Sequence, residues 1–425
     1  VNHPFQRRHS LWYERLLFSG LFQFILGTVC IVLLPAWQRW PDEFFAAKAQ
    51  DVKLYTLMAN MAAYLAVFLI IRRLRYFPNA QTISYVLPTI ALSWLLVVAV
   101  LFFLRLDYSR YVLMLSFLAA NLWAVVGFYV RRKFRMPKIA LVPMGRALSL
   151  KDNPGAHSIV LQQPDLGSRR FDAIVADLHS DDLSAEWERF LARCTLAHIP
   201  VFHFKQMEEL LTGKVRIERL AENEIGSLLP SPFYSTVKRV LDLTLALLLL
   251  PALLLVMLLF AVWIKLDSEG SVFFIQERLG FRGNPFKVYK FRSMYTNMAG
   301  QSFTEGENDP RITRVGKVIR KFRIDELPQI INVLKGDMSF IGPRPESKEL
   351  SDWYEEAVPF FSYRHVVRPG ISGWAQVNQG YAAEVEGMKE KLQYDFYYIK
   401  HFSLWLDILI LFKTIRTVLT GYGAR

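Results

Sequence analysis

The chain has 425 residues, a formal net charge of +13, 52% hydrophobic residues and 21% charged residues. This is too apolar and too basic for an ordinary soluble enzyme; it fits a membrane protein that meets anionic lipid or a phosphorylated substrate. The only cysteines are Cys30, in an apolar run, and Cys194, in a helical pattern, which excludes a disulfide framework or a cysteine-based metal site and suits a reducing compartment for the soluble parts.

Four apolar runs, about Leu16 to Pro35, Leu54 to Ile71, Ile83 to Leu104 and Tyr111 to Val130, fill the first third of the chain. Each approaches the roughly 20 residues a bilayer-spanning helix needs, so four transmembrane helices are predicted. Arg7, Arg8 and Arg15 precede the first run, Arg72, Arg73 and Arg75 follow the second, and Arg131, Arg132, Lys133 and Arg135 follow the fourth. The other two loops carry mixed charge, with Arg39, Asp42, Glu43, Lys48 and Asp51 in one and Arg105, Asp107 and Arg110 in the next. The positive-inside bias therefore places both ends of the bundle in the cytoplasm. No signal peptide is evident, because the first run is long and lacks a small-residue cleavage pattern. Asn60 and Asn121 are the most polar residues within the spans, and interhelical hydrogen bonds are expected of them rather than transport.

From about Met136 to Leu220 the composition becomes ordinary. Ile139 to Val142, Ser158 to Leu161, Ala173 to Ala176 and Pro200 to Phe204 read as strands, and Ser184 to Ala197 reads as a helix. The alternation predicts a small α/β unit with a parallel sheet. Its first strand runs into Pro143-Met144-Gly145-Arg146 rather than a glycine fingerprint, so a structural or regulatory role is expected before nucleotide binding.

Leu243 to Ile264 is apolar throughout, long enough for a fifth span, but interrupted by Pro251. Two arrangements fit the sequence, a kinked span or a helix that bends at Pro251 and returns to the cytoplasmic side, the second agreeing better with the basic flanks Lys238, Arg239 and Lys265.

Beyond this segment lie candidate strands at Val272 to Ile275 and Phe286 to Tyr289, the latter running into Lys290-Phe291-Arg292-Ser293-Met294. Arg311, Arg314, Lys317, Arg320, Lys321 and Arg323 recur at helical spacing around Val315, Val318, Ile319 and Phe322. Such an amphipathic basic helix is either a solvated face or a contact for anionic headgroups or a diphosphate. Leu327, Ile330, Ile331 and Leu334 then predict a helix with Pro328 in its first turn and a C-terminal cap at Gly336. Asp325 and Glu326 fall at its start, where orphan N–H groups favour phosphate and the dipole is expected to lower the Asp325 pKa. An ionised Asp is a nucleophile at neutral pH, and the surrounding cations point to a phosphate target.

Downstream, Gly342-Pro343-Arg344-Pro345 restrains a guanidinium able to grip phosphate, and Arg364 and Arg368 lead into the tight loop Pro369-Gly370-Ile371-Ser372-Gly373-Trp374. His365 has no partner at metal-binding spacing. Asp395, among Tyr394, Phe396, Tyr397 and Tyr398, is either a polar anchor or a site carboxylate. Phe402 to Thr420, broken by Asp407, Lys413 and Arg416, reads as a helix lying in the membrane interface.

From about Phe233 onward the chain resembles the bacterial sugar transferase family of monotopic phosphoglycosyl transferases. The resemblance is carried by Lys238-Arg239 ahead of the Pro251-broken helix, Tyr289 to Met294, Asp325-Glu326-Leu327-Pro328-Gln329, Lys335-Gly336-Asp337-Met338-Ser339, Gly342-Pro343-Arg344-Pro345 and Arg368 to Trp374. With four spans and a degenerate nucleotide-binding-like domain in front, it looks like the large subclass that initiates exopolysaccharide, capsule or O-antigen assembly. The implied architecture is a transmembrane bundle over residues 1–135, a cytoplasmic α/β Rossmann-like domain over 136–225, and a monotopic α/β catalytic domain over 226–425. Its re-entrant helix, about 238–265, is broken at Pro251, and interfacial helices accompany it.

The resemblance implies transfer of hexose 1-phosphate from a UDP-hexose to undecaprenyl phosphate with release of UMP, glucose and galactose being the favoured sugars. It assigns Asp325 as the nucleophile that forms a phosphosugar-aspartate intermediate, with Glu326 as a metal partner or a proton-transfer group. Mg²⁺ is the implied cofactor, contacted by Asp325 and Glu326. Lys290, Arg292, Arg323, Arg344, Arg368 and Asp395 are the expected substrate-binding residues. The implied setting is the bacterial cytoplasmic membrane with the active site facing the cytoplasm. Partners are the lipid bilayer, downstream glycosyltransferases and a second copy in a homodimer, with no nucleic acid. After Trp374-Ala375-Gln376-Val377-Asn378 many relatives continue with Gly-Arg, whereas this chain has Gln379-Gly380-Tyr381, so sugar choice does not carry over. The competing expectation from another class is a non-catalytic membrane scaffold that recruits assembly or export proteins.

Overall fold

The computed structural model describes residues 8, 11–42, 51–74, 76–78, 83–134, 136–216, 229–296, 309–379 and 385–420. Arg7, Glu43, Lys48, Arg75, Arg135, Gly380 and Tyr381 lie outside them, as do the expected domain boundary at residues 225 and 226 and the side chains of Arg131, Arg132 and Lys133. The described chain forms two compact units, Val1–Gly213 and Lys214–Arg425.

In the first unit a short helix α1 (Trp12–Phe18) precedes α2 (Gly20–Arg39), α3 (Asp51–Leu74), α4 (Ile83–Phe103) and α5 (Arg110–Phe134). All but α1 are long and apolar enough to cross a membrane, in register with the four apolar runs. Within α2 the spacing widens to a π-helix over Val29–Leu33. Pro35 has no N–H to offer the carbonyl one turn back, and the wider turn ahead of it takes up the mismatch. Asn60 is buried and accepts from Trp94 Nε1 on α4 at 3.2 Å, the interhelical bond its position predicts. Asn121 differs: its amide donates to Phe117 O at 2.7 Å within its own helix.

The α/β part carries β1 (Lys138–Leu141), β2 (His157–Val160), β3 (Ala173–Ala176) and β4 (Val201–His203), all parallel in the order β2-β1-β3-β4. Ala140, Ile174 and Ala176 face Trp187 and Phe190 of α6 (Ala185–Leu196), while Ile139, Leu141 and Val175 face Phe204 and Met207 of α7 (Phe204–Thr212). Burial on both faces explains why these strands read as unbroken apolar runs. Arg8, ahead of α1, pairs with Asp172 at 3.1 Å, just before the start of β3.

In the second unit the first helix among the described residues is α8 (Pro232–Asp267), 36 residues long and the fifth described helix apolar enough to span a membrane. It runs through Pro251 as one helix, with Pro251 on its exposed side and Asp242, Ala246, Met257 and Ile264 on its buried stripe. Residues near both ends bond to the rest of the unit. Lys238 reaches Asp407 at 2.5 Å and Arg239 donates to the carbonyls of Val333 and Leu334, while the Val315 N–H donates to Asp267 at 3.2 Å.

An antiparallel hairpin follows, β5 (Phe273–Leu279) with β6 (Pro285–Phe291), then α9 (Arg314–Lys321). A 3-10 turn over Ile324–Gln329 leads into α10 (Ile330–Lys335) and β7 (Ser339–Ile341). Next come α11 (Lys348–Ala357), β8 (Gly370–Ser372) parallel to β7, α12 (Trp374–Asn378), α13 (Val385–Lys400) and α14 (Leu404–Thr420). The core joins Ala246, Met257 and Ile264 of α8 to Val288, Phe291, Val315, Ile319, Ile330 and Val333. Asp407, read in the sequence as an interruption of α14, is buried and accepts from Lys238, Tyr234 and Tyr398.

Candidate active site

Pro328 decides the backbone that carries the adjacent carboxylates. Its missing N–H and its ring oppose an α-helical turn there, so the chain takes i to i−3 bonds, among them Glu326 N–H to Arg323 O at 3.2 Å. The regular helix predicted from Leu327 onward is therefore confined to Ile330–Lys335, closed by Gly336 in the left-handed conformation. Arg323 opens the turn at φ 57, a left-handed value that side chains rarely adopt, and this projects its guanidinium back toward Glu326.

Glu326 is buried among cations. Arg344 lies 2.7 Å from its Oε1, and Lys290 and Arg323 lie 3.7 Å away. Burial alone would raise its pKa, but Arg344, Lys290 and Arg323 outweigh that and hold the carboxyl well below the usual range. Asp325 goes the other way. Burial, then the Glu326 charge beside it, push it up to about 6 against the pull of Lys290, Arg323 and Arg344. This corrects the expectation of a lowered pKa at a helix start: the turn is a short 3-10 segment, and desolvation and a like charge outweigh any dipole. Asp325 Oδ1 is buried without a hydrogen-bond partner among the described residues. Lys290, on β6, is brought down to about 8 by burial and the nearby Arg344 charge.

Arg344 is held by a second buried network that the sequence did not reveal. Arg364 donates to Arg344 O at 2.8 Å and pairs with Asp395 at 2.8 Å; Lys391 bonds Glu346, which lies 3.6 Å from Arg364. Arg278 donates to Pro345 O, and Tyr398 to Ile341 O at 3.1 Å. Gly342 and Gly370 make this framework tight. A Cβ on Gly342 would stand 2.4 Å from Arg368 O, and one on Gly370 would stand 2.0 Å from Gly342 N, so the two proline-arginine loops lie backbone against backbone. The signals were present in sequence, Glu346 directly after Pro345 and Arg364 ahead of the second loop, but their partners lie far along the chain.

Of the expected substrate-binding residues, Lys290, Arg323 and Arg344 converge on the carboxylate pair. Arg292 does not: it donates to the Ser268 and Glu269 carbonyls and to Ser268 Oγ, clamping the end of α8. Arg368 donates to Gly336 O at 3.1 Å, lies over the Phe281 ring and lines a cavity of about 330 Å³ with Arg239, Arg282 and Phe402, whose walls include neither Asp325 nor Glu326. Asp395 is a buried anchor for Arg364, with its pKa raised by desolvation. His365 is also buried, which lowers it to about 4.

A divalent cation fits this donor set in one respect. Asp325 presents a buried, unpartnered carboxylate oxygen, and Mg²⁺ characteristically takes one or two carboxylates and completes its shell with substrate phosphates and water. Glu326 is already engaged by Arg344, Lys290 and Arg323, so it fits the role of holding cations better than that of a metal ligand.

The profile of a family described as bacterial sugar transferase matches residues 233–421. A UDP-N-acetylgalactosamine-undecaprenyl-phosphate N-acetylgalactosaminephosphotransferase of Aeromonas hydrophila is 51% identical over 426 residues, covering 99% of this chain and 100% of that protein. An undecaprenyl-phosphate glucose phosphotransferase of Komagataeibacter xylinus is 31% identical over 478 residues, covering 98% of this chain and 86% of the relative. A UDP-glucose:undecaprenyl-phosphate glucose-1-phosphate transferase of Escherichia coli K12 is 42% identical over 181 residues, 42% of this chain and 39% of its own length.

Proposed function

The chain belongs to the bacterial sugar transferase family, and on that premise we propose that it moves N-acetylgalactosamine 1-phosphate from its UDP derivative to undecaprenyl phosphate, releasing UMP. The likeness to the Aeromonas protein over the whole length shifts the favoured sugar away from glucose and galactose, and the glucose enzyme of Komagataeibacter, at 31% identity, is the weaker guide.

The observation that carries the mechanism is the pairing of an unpartnered Asp325 Oδ1 with a neighbour, Glu326, that gathers three cations. Ionised Asp325 attacks the sugar-bearing β-phosphorus; an aspartyl O–P bond forms and the bridging P–O bond to the α-phosphate breaks, so UMP leaves with the electron pair. A phosphate oxygen of the lipid then attacks the same phosphorus, the aspartyl bond breaks, and the carboxylate is restored with a lipid diphosphate sugar as product. Arg344, Lys290 and Arg323, fixed by Glu326, offset the charge that builds on the transferring phosphoryl oxygens. Mg²⁺ bound beside Asp325 would neutralise the substrate diphosphate and polarise its phosphorus.

We place the site on the cytoplasmic side of the bacterial inner membrane, where UDP-sugars are made, with α8 entering one leaflet and returning. Support comes from the bonds that tie Lys238 and Arg239 near one end of α8, and Asp267 at the other, to the same catalytic unit. The test is UMP release by the full-length protein in nanodiscs holding undecaprenyl phosphate and Mg²⁺, screened over UDP-sugars. Highest kcat/KM with UDP-N-acetylgalactosamine supports the sugar assignment; preference for UDP-glucose or UDP-galactose overturns it, and no UMP with any sugar overturns the reaction.

A further inference from the structure

A second cluster of functional side chains lies in the α/β part of the first unit, where Asp177 follows β3, His179 comes two residues later and His203 ends β4. We infer that these three residues bind one borderline divalent transition-metal ion, with zinc as its representative.

One ligand atom from each residue lies within 4.8 Å of the other two. His179 Nδ1 and His203 Nε2 are 3.0 Å apart, and His203 Nε2 is 4.0 Å from Asp177 Oδ1. Donors around a tetrahedral ion with bonds of about 2.0–2.1 Å sit roughly 3.3 Å from one another, so side-chain shifts of under about 1 Å seat an ion among these three. Two imidazoles and one carboxylate form a borderline set: Mg²⁺ and Ca²⁺ take oxygen shells, whereas zinc and its neighbours take imidazole. Asp177 is buried and His179 exposed, which leaves a fourth position open toward solvent, as in zinc sites that keep a water.

The fold places the cluster where open α/β sheets bind ligands. In the order β2-β1-β3-β4 the chain reverses its direction of build-up between β1 and β3, so a crevice opens at the carboxyl ends of those strands. The loop after β1 closes on Asp177 from the other side of that crevice. Arg146 N–H donates to Asp177 Oδ2 at 3.1 Å, and Gly145, at φ 56, allows the approach, since a Cβ there would stand 2.6 Å from Oδ2. His179 N–H donates to Asp177 Oδ1 at 3.4 Å. Backbone donors on both oxygens orient the carboxylate as an outer shell orients a metal ligand. The same carboxylate repels the pyrophosphate that this crevice holds in nucleotide-binding relatives of the fold. An ion here would fasten the ends of β3 and β4 to each other, and its binding energy would add to the stability of the unit.

The test uses the full-length protein in nanodiscs, carrying no polyhistidine tag, stripped with EDTA and titrated with Co²⁺ followed by displacement with Zn²⁺. The expected result is one equivalent of Co²⁺ with a visible absorption band, displaced by one equivalent of Zn²⁺, and a Zn²⁺-dependent rise in melting temperature. His179→Ala and His203→Ala should each weaken Zn²⁺ by more than the roughly 100-fold that follows loss of an outer partner, and abolish the melting shift. Asp325→Asn should keep the equivalent, which locates it outside the catalytic unit. His179→Ala, altering an exposed side chain, should retain wild-type UMP release as proof of folding. The inference is overturned if the wild type takes up no stoichiometric ion, or if the histidine variants bind as tightly as the wild type; the two rings are then a hydrogen-bonded pair only.

Discussion

Ionised Asp325 is the attacking form in the proposed reaction, and its carboxyl is pushed up to about 6 by burial and by Glu326. The first half-reaction should therefore lose about tenfold in kcat/KM for each pH unit below about 6. Lys290, brought down to about 8, loses its charge above that value, so the profile should fall again on the alkaline side, giving a bell between the two. A pH–rate series of UMP release checks both limbs. Asp325→Asn should reduce turnover by about 10³-fold or more and leave no trappable phosphosugar adduct; near-normal turnover would remove it as nucleophile. Glu326→Gln has a more particular signature. It removes the like charge next to Asp325 and frees Arg344, Lys290 and Arg323 to act on that residue, so the acid limb should move to lower pH while kcat falls because the cations lose their common acceptor. An acid limb unmoved in this variant would mean that Glu326 does not set the Asp325 pKa.

At the scale of elements, the two proline-arginine loops work as one piece because β7 and β8 bring Gly342 and Gly370 into backbone contact. Gly342→Ala should destabilise the catalytic unit by about 1–3 kcal/mol, since the added methyl meets the backbone at Arg368 rather than a movable side chain. It should also lower kcat by displacing Arg344, and thermal melting alongside UMP release checks the two effects together. The elements themselves were legible. The four apolar runs, the parallel strands from Ile139 to Phe204 and the two strands around Ile275 and Phe286 follow from length and periodicity, which are local properties, whereas the antiparallel pairing of the last two does not. Over Ile324–Gln329 apolar spacing points to a regular helix, and Pro328 enforces a tighter turn instead. Within the site, Lys290, Arg323 and Arg344 could be picked out because charge density is visible in sequence. Arg292 and Arg368 stand out for the same reason, yet each is spent on an internal partner, and Asp395, open in the sequence between polar anchor and site carboxylate, is the anchor of Arg364. A cation that clamps a carbonyl and one that waits for phosphate look alike until the fold assigns their neighbours. The Glu346–Lys391 and Arg364–Asp395 pairs join residues 45 and 31 positions apart, a separation that no local pattern encodes.

For the molecule as a whole, the question with most consequence is on which side of the bilayer the ends of α8 lie. Phe233 and Leu266 are both strongly exposed and flank the apolar stretch, so cysteines placed there in a cysteine-free background report on each end. Both should react with an impermeant maleimide only when the cytoplasmic face is open to it; labelling of position 266 from the outer face would demand a complete fifth span. The tie between Lys238 and Asp407 bears on the same architecture. Both side chains are buried, and Asp407→Asn should cost about 3 kcal/mol or more because it leaves the lysine charge without its counter-ion; a denaturation midpoint unchanged from wild type would show the pair to be dispensable.

That tie also sets an order of events during synthesis. Lys238 leaves the ribosome 169 residues before the aspartate that will neutralise it, an interval of roughly 10–30 s at bacterial elongation rates. Throughout that time its ammonium group has Asp242, one turn along the same helix, and beyond it water and lipid phosphates for company, so on the proposed topology it would hold the start of α8 at headgroup level while the apolar stretch behind it meets the bilayer. The arrival of α14 would then exchange phosphate for carboxylate and convert a transient mooring into a permanent one, which makes α14 the step that commits α8 to its depth.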